Sequence, residues 1–255
     1  MEDDLWEMGK LWGSLDDVDN YIYKEAEEQT EEKDFETLKN DFSELSDLNR
    51  LKTLLVMLEE KKGAEYSQKF RSRDSLEAWT DYLSRNGIHT WTGIGVVEDE
   101  YVYAEVFLSY RSRPNDFFDR YQNMRDNNPE KYHRRMGEFF GYPEESIQAF
   151  ISKPSILQRL KNKLSYHTSG TPKRSGLVSV QELIEKYGTD LSDQEIKDIR
   201  TLIFYMPADS EEAFLQAEAT AISRKEAIMS LAGEGPDFTY LQDRYIELQD
   251  DFGDE

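Results

Sequence analysis

The sequence contains no cysteine, and this absence removes several kinds of chemistry at once. Without cysteine a chain forms no disulfide, has no thiolate nucleophile, and offers no cysteine ligand to zinc or to an iron–sulfur cluster. Histidine is also scarce, since His89, His133 and His167 are far apart and form no His-x-x-x-His pair. We therefore expect neither a metal nor any other cofactor, and any catalysis has to use other groups.

Signatures of nucleotide binding and of hydrolases are missing as well. The chain has no Gly-x-x-x-x-Gly-Lys-Ser/Thr loop, no Gly-x-Gly-x-x-Gly turn and no Gly-x-Ser-x-Gly elbow. The nearest feature is Thr92-Gly93-Ile94-Gly95, two glycines inside an apolar, β-branched run. That arrangement is typical of a β-bulge or of close packing rather than of a phosphate cradle.

Long apolar segments are absent too. The first residues, Met1 to Lys10, carry four acids and no apolar run after a basic stretch, which is unlike a signal peptide. No apolar stretch approaches the roughly 18 residues that a membrane span requires. The sequence predicts a soluble, cytoplasmic protein that has no membrane partner.

Acidic residues dominate the charge. With 53 acids against 31 bases the chain carries a net charge of −22, so its surface as a whole repels nucleic acid and anionic membranes. This argues against generic DNA binding. So acidic a composition also fits the salt-rich cytoplasm of a halophilic organism, where dense carboxylates keep a surface hydrated.

The charge is unevenly distributed along the chain. Residues 1–48 hold seventeen acids and four lysines, whereas residues 111–135 hold seven bases and four acids. Residues 153–174 carry six bases and no acid, and residues 233–255 carry eight acids and one arginine. The basic middle could form a patch for phosphate, carboxylate or RNA backbone, or it could lie against the acidic ends. We prefer the internal arrangement, and both stay open.

Periodicity predicts an α+β fold that is mostly helical with a small antiparallel sheet. Ile88–Val97 and Tyr101–Ser109 predict a hairpin over 88–109, and 202–206 is the candidate third strand. Apolar spacing predicts three N-terminal helices, the first through Ile22 and the last reaching Gly63. The predicted domains are an acidic helical segment (1–84), an α+β core (85–232) and an acidic tail (233–255).

Two helices are predicted around the sequence Phe139-Phe140-Gly141-Tyr142-Pro143. Pro129 suits the start of the first helix, and Gly141 suits a left-handed residue after its last turn. Pro143 suits the first turn of the second helix, where Glu144 and Glu145 face the positive end of the helix dipole. The stretch therefore predicts a helix-turn-helix.

Seven residues are candidates for a functional site. On the second strand, alternation places Glu105 beside Tyr103 and Phe107, where desolvation would raise its pKa and suit it to acid–base work. His133 could exchange protons beside a bound anion. Candidate ligand-binding residues come from the basic middle and the helix-turn-helix: Arg111, Arg113, Arg134, Arg135 and Tyr142.

Two segments carry a resemblance to a family. Gly141-Tyr142-Pro143-Glu144-Glu145-Ser146-Ile147-Gln148-Ala149-Phe150 and Phe204-Tyr205-Met206-Pro207-Ala208-Asp209-Ser210 are similar to motifs in a family of uncharacterised archaeal proteins, domains of unknown function. The family reads Gly-Tyr-Pro-x-Cys-Cys in the first motif and has cysteines in the second. The chain departs from that pattern at four cysteine positions, which are occupied by Glu145, Ser146, Ala208 and Ser210. The resemblance implies a similar fold over about residues 85–232 and no metal or redox capacity that depends on those cysteines.

Two classes of function follow from these observations. The preferred hypothesis is a non-enzymatic binding or adaptor protein that recognises a protein partner or a small anionic ligand. The alternative is an enzyme or degenerate enzyme acting on an anionic, RNA-linked substrate, with Glu105, His133, Arg134, Arg135 and Tyr142 around one cleft. Because the enzyme requires these side chains to converge, geometry separates the two hypotheses.

Overall fold

A computed structural model of the chain describes residues 21–27, 33–42, 44–98, 101–111, 128–152 and 176–231. The chain divides into two compact units. The first unit comprises residues 1–120 and 228–241, and the second comprises residues 121–227 and 242–255. The fold is α+β, as the sequence predicts.

The first unit contains a four-stranded antiparallel sheet. Its strands are β1 (Tyr21–Lys24), β2 (Gly63–Phe70), β3 (His89–Glu98) and β4 (Tyr101–Ser109), arranged in the order β1-β3-β4-β2. The predicted hairpin is confirmed, because β3 and β4 pair directly from Glu98↔Tyr101 to His89↔Ser109. The register shifts between Ile94 and Val97, so the glycine-rich stretch does contain a bulge.

Three helices accompany this sheet: α1 (Phe35–Asn40), α2 (Asp47–Met57) and α3 (Arg73–Arg85). The N-cap of α3 is Ser72, whose side chain accepts from the Ser75 backbone N–H. Ser75 occupies the third helical position, and its hydroxyl completes a reciprocal capping box. The helix ends at Asn86–Gly87, where Gly87 adopts a φ of 76°.

The core lies between α2, α3 and one face of the sheet. Val106 and Leu108 of β4 point to this face and are fully buried, as alternation along the strand predicts. A buried hydrogen-bond network joins the two layers: the Trp79 indole N–H donates to Tyr66 Oη at 3.2 Å, and Thr53 Oγ1 lies 3.1 Å from the same oxygen. Burial raises the pKa of Tyr66, so it stays a neutral phenol.

Side chains of α2 cover the outer edge of β2. Lys52 Nζ donates to the Glu65 carbonyl at 3.3 Å, and Asn49 Nδ2 donates to the Ser67 carbonyl at 3.2 Å. An edge strand presents backbone groups that have no neighbouring strand to bond with. Here two of those carbonyls are satisfied from the adjacent helix.

The N-terminal prediction is wrong at two places. Residues 21–24 are strand β1, paired with β3, rather than the end of a helix. Residues 63–70 are strand β2, for which no strand was predicted. In both cases the pairing partner is distant in sequence, and the helical spacing on which the prediction relied does not report strand pairing. The predicted boundary at 84/85 falls inside this unit, because β1 and β2 pair with β3 and β4.

The second unit is described as five helices, the last of which extends into residues of the first unit: α4 (Pro129–Phe140), α5 (Glu144–Ile151), α6 (Val180–Tyr187), α7 (Asp193–Leu202) and α8 (Glu211–Met229). The helix-turn-helix is confirmed, with Gly141 at a φ of 72° between α4 and α5. Serines cap α6 and α7 in capping boxes. At the start of α8, Ser210 Oγ accepts the Ala213 N–H at 3.0 Å.

The candidate third strand at 202–206 is wrong. Leu202 is the last residue of α7, and only Ala208 forms a bridge, with Leu177. Two features of this segment oppose the regular backbone hydrogen bonds of a strand. The Leu202 carbonyl accepts from the Arg224 guanidinium, and Pro207 has no backbone N–H to donate.

The helices α4 and α5 approach closely at Gly137. A Cβ at this position would lie 2.6 Å from Ile147 Cγ1, which is much closer than carbon atoms tolerate. Glycine therefore sets the spacing of this helix pair.

Replacing Gly137 by alanine tests this spacing. Alanine favours a helix by about 1 kcal/mol over glycine, whereas overpacking costs about 1–3 kcal/mol, so we expect Gly137→Ala to destabilise by about 1 kcal/mol. Urea unfolding measures the change. A more stable variant would show that Ile147 moves aside freely.

A second stability prediction concerns Thr92. Its side chain is fully buried, yet its hydroxyl has no hydrogen-bond partner among the described residues. We expect Thr92→Val to raise the unfolding free energy by about 1 kcal/mol, because the variant removes an unsatisfied polar group. The matched control is Thr53→Val, which breaks the contact with Tyr66 and should destabilise. Equal destabilisation of both variants by urea unfolding would contradict this account.

Candidate functional site

A cavity of about 160 Å³ lies in the second unit against α4 and α5. Residues 177 and 205–206 complete its wall, so the helix-turn-helix and the segment after α7 meet there. The apolar part of the wall consists of Met136, Gly137, Ile147, Leu177 and Met206. Met206 is 52% exposed, so the cavity reaches solvent beside this side chain.

Four ring side chains form much of the remaining wall. His133 lies edge to face with Phe150, with ring centroids 4.9 Å apart, and Tyr142 tilts against Tyr205 at 5.5 Å. Such arrangements are favourable for rings because the edge of one meets the face of another. The cavity is thus bordered by two aromatic pairs.

Two hydroxyl groups at the cavity are buried without hydrogen bonds. Ser146 is only 4% exposed, and its Oγ has no partner among the described residues. The same holds for Tyr205 Oη, and burial raises the pKa of this phenol. A buried polar atom without a partner costs about 1–3 kcal/mol, so such atoms call for an explanation. Both oxygens are closed to solvent in this structure, so other atoms of these two residues form the surface of the cavity.

No lysine, arginine, aspartate or glutamate belongs to the wall within the described part of the second unit. The predicted arginines of α4 are instead paired with nearby carboxylates. Arg134 Nη1 lies 2.6 Å from Glu144 Oε1, and Arg135 Nη1 lies 2.8 Å from Glu138 Oε2. The pKa of Glu144 is lowered by the hydrogen bond from Arg134.

The structure therefore brings together only some of the predicted site residues. His133 and Tyr142 line the cavity. Arg111 and Glu105 belong to the first unit, and the Arg111 guanidinium lies 5.0 Å from the Tyr110 ring centroid. Arg113 lies outside the described residues, as do the basic run 153–174 and the tail 233–255. The anion-binding role of the arginines stays a prediction.

A second arrangement of titratable groups lies on the other face of the sheet, opposite the one that carries Val106 and Leu108. Glu105 is directly opposite Ser67, and Glu65 is directly opposite Phe107, so the two glutamates are diagonal neighbours on one face. Burial and a hydrogen bond to Glu65 raise the pKa of Glu105 to about 8. One carboxyl group must keep a proton to make that bond, so the two glutamates share a single proton.

The surroundings of Glu105 explain the rise in its pKa. Gly93 lies opposite it on β3 and adds no polar side chain, and the nearby Trp91 and Phe107 rings are 5.4 Å apart. Lys52 lies near Glu65, where its positive charge favours the ionised carboxylate. Desolvation lowers the pKa of this lysine and so weakens that effect. The expectation that burial raises the pKa of Glu105 is confirmed, while its catalytic role stays a prediction.

Two searches of the described residues gave negative results. No group of three or more His, Asp or Glu side chains in these ranges is placed to hold a metal ion. None of the helices described above is both long and apolar enough to cross a membrane.

No protein-family model, curated protein or solved structure matches the chain. The resemblance to an uncharacterised archaeal family stays a prediction. The two segments that carry it do meet in space, because Tyr142 of the first contacts Tyr205 of the second. Ser146, at one of the expected cysteine positions, lies in the same wall.

Sequence reasoning missed three residues of these sites. Ser146 and Tyr205 were noted only within the resemblance, as residues of the two segments that meet at the cavity. Glu65 was missed because β2 was not predicted. The alternation of apolar and polar residues in Ala64-Glu65-Tyr66-Ser67 was the available signal.

The carboxyl pair predicts a pH dependence of stability. Because the pKa of Glu105 is raised in the folded state, its contribution is intact at low pH and is lost as the pH rises from about 4.5 to about 8. We expect Glu105→Gln to raise the unfolding free energy at pH 9 by about 2 kcal/mol, since partial exposure lets water screen much of the charge. Urea unfolding at pH 5 and 9 measures this.

The exposed Glu77 gives a matched control. Glu77→Gln should change stability by a similar small amount at both pH values, because only its exposed pair with Arg73 is lost. If Glu105→Gln behaved in the same way, Glu105 would be ionised in the folded protein at neutral pH.

Proposed function

We propose that this protein is a non-enzymatic binding protein whose second unit holds a small neutral molecule in the cavity against α4 and α5. The supporting observation is the cavity itself, whose wall in the described residues is formed mainly by apolar and aromatic side chains. A molecule that buries apolar surface against this wall gains hydrophobic free energy.

The charges favour a neutral ligand over the anion that the sequence suggested. The basic side chains nearest in sequence to the cavity residues, Arg134 and Arg135, already pair with carboxylates. Among the described residues of the wall only His133 can carry a positive charge, so an anion there would lose its hydration with little to replace it. A neutral molecule avoids this cost.

The enzyme hypothesis has less support. It requires Glu105 to share a pocket with His133 and Tyr142, and Glu105 is not among the residues of the cavity wall. The proton-sharing pair of Glu105 and Glu65 could transfer a proton, but no cavity is described beside it. We therefore favour binding.

The cellular setting remains part of the proposal. The net charge of −22 supports a cytoplasmic protein of a halophilic archaeon, and the two segments quoted above support membership of the uncharacterised archaeal family. Neither inference affects the cavity or its test.

Filling the cavity tests the proposed function. Toluene, cyclohexanol and phenol are the probes, and at ten times its Kd a bound probe should raise Tm by about 3–6 °C. We expect Ser146→Leu to abolish this rise, because the larger side chain occupies the space. Met206→Trp at the opening should weaken it.

Gln148→Leu is the matched control, since Gln148 is exposed on the same helix and is not part of the wall. This variant should keep the response to every probe that the native chain binds. Circular dichroism confirms that each variant is folded. Failure of all three probes to raise Tm, or an unchanged response in both Ser146→Leu and Met206→Trp, would overturn the proposal.

A further inference from the structure

A row of exposed apolar side chains runs along α8. The described residues expose five large apolar side chains, and three of them, Leu215, Ile222 and Met229, belong to this one helix. They recur at every seventh position, which is about two helical turns, so they share one side of the helix. Because Met229 belongs to the first unit, we define the apolar stripe by Leu215, Ala219 and Ile222, which are all exposed in the second unit.

The helix is anchored in the fold through its other side. Phe214, Ala217 and Ala221 are buried there, and so is Arg224, which donates to the Leu202 carbonyl. The apolar stripe therefore makes no contribution to that buried face. Single apolar residues are common on protein surfaces, but a continuous row of them on one helix face is typical of a contact surface.

Carboxylates border the apolar stripe. Glu218 and Glu226 each lie one helical turn after one of its two large side chains. Neither glutamate forms an ion pair with any residue that the structure describes. The two basic residues of α8 do not neutralise them, because Arg224 is buried and Lys225 Nζ lies 2.5 Å from Asp198 Oδ2. The surface thus combines apolar side chains with uncompensated negative charge.

These features select a partner by its charge and its shape. A second copy of the chain carries the same carboxylates and a net charge of −22, so it is repelled. An anionic membrane or a nucleic acid is repelled for the same reason. A helix with an apolar face and basic flanks complements the surface, because helices contact each other through side chains that recur every three to four residues.

We propose that the apolar stripe of α8 docks a basic amphipathic helix of a partner protein. The apolar face of that helix packs on Leu215, Ala219 and Ile222, and its lysines or arginines pair with Glu218 and Glu226. None of these five residues belongs to the described wall of the cavity. The inference therefore goes beyond the proposed function and is tested independently of it.

Two peptides test this surface. The first is a fluorescein-labelled peptide of about 18 residues in which leucines form one helical face and lysines form the other. The second has the same composition in an order that leaves no apolar face. Fluorescence anisotropy in about 0.15 M salt, which screens long-range attraction, gives the Kd of each peptide. We expect the native chain to bind the first peptide at least about tenfold more tightly than the second.

The double variant Leu215→Gln/Ile222→Gln removes the large side chains of the stripe. Both are about half exposed, so the variant should fold normally, and circular dichroism checks this. We expect it to bind the first peptide at least about tenfold more weakly, because the central apolar contacts are lost. Tyr101→Gln replaces an exposed large side chain of the first unit and is the matched control, which should bind like the native chain.

The double variant Glu218→Gln/Glu226→Gln tests the charges. Because exposed ion pairs are weak and are screened by salt, we expect about two- to fivefold weaker binding of the first peptide and a smaller dependence of Kd on salt. Glu77→Gln/Glu185→Gln removes the same charge at exposed positions outside α8. This control should keep the native affinity within about 1.5-fold, since it changes only the overall field of the protein.

Three results would each overturn this inference. The first is equal binding of the two peptides by the native chain, or no binding of either. The second is an unchanged affinity in either the stripe variant or the glutamate variant. The third is a native dimer that becomes a monomer in Leu215→Gln/Ile222→Gln by light scattering, because a second copy would then occupy the stripe. In each case the cavity could still bind neutral probes, and the proposed function would stand.

Discussion

The close approach of α4 and α5 is the constraint on which the candidate site depends. Gly137 has no side chain, and Ile147 occupies the space that a Cβ would need. The left-handed Gly141 turns the chain between the two helices, and Asn128 caps the first of them through the Lys131 N–H. Since both helices contribute to the cavity wall, its size follows from the helix spacing, and hence from the glycine.

Buried hydroxyl groups have different surroundings in the two units. In the first unit, Tyr66 satisfies both Thr53 and the Trp79 indole within the core, so this polar group costs little. Thr92 in the same core has no such partner on the described chain. In the second unit, the unsatisfied Ser146 and Tyr205 both belong to a cavity wall. The second pair therefore belongs to residues that line a cavity, whereas Thr92 lies in the packed core of the first unit.

The sequence predicted elements whose signals are local. The proline that begins α4, the glycine that ends it and the alternation along β4 each depend on a few neighbouring residues. It missed β1 and β2, whose strand pairing depends on residues far along the chain. The same limit applies to the site. His133 and Tyr142 were predicted from a locally determined motif, whereas Tyr205 lies against Tyr142 only through tertiary packing. Glu105 was singled out correctly as a buried acid, yet its partner Glu65 required the unpredicted β2.

The covered edge of β2 also affects how molecules of this protein meet one another. Fibrils grow when an unsatisfied edge accepts a strand from another chain, and this becomes more frequent when charge repulsion between chains is screened by salt. On this sheet the donors from Lys52 and Asn49 already occupy two acceptors of that edge. An incoming chain would have to displace both before its own backbone could bond at those carbonyls, so this side of the sheet resists polymerisation even where electrostatic repulsion is weak.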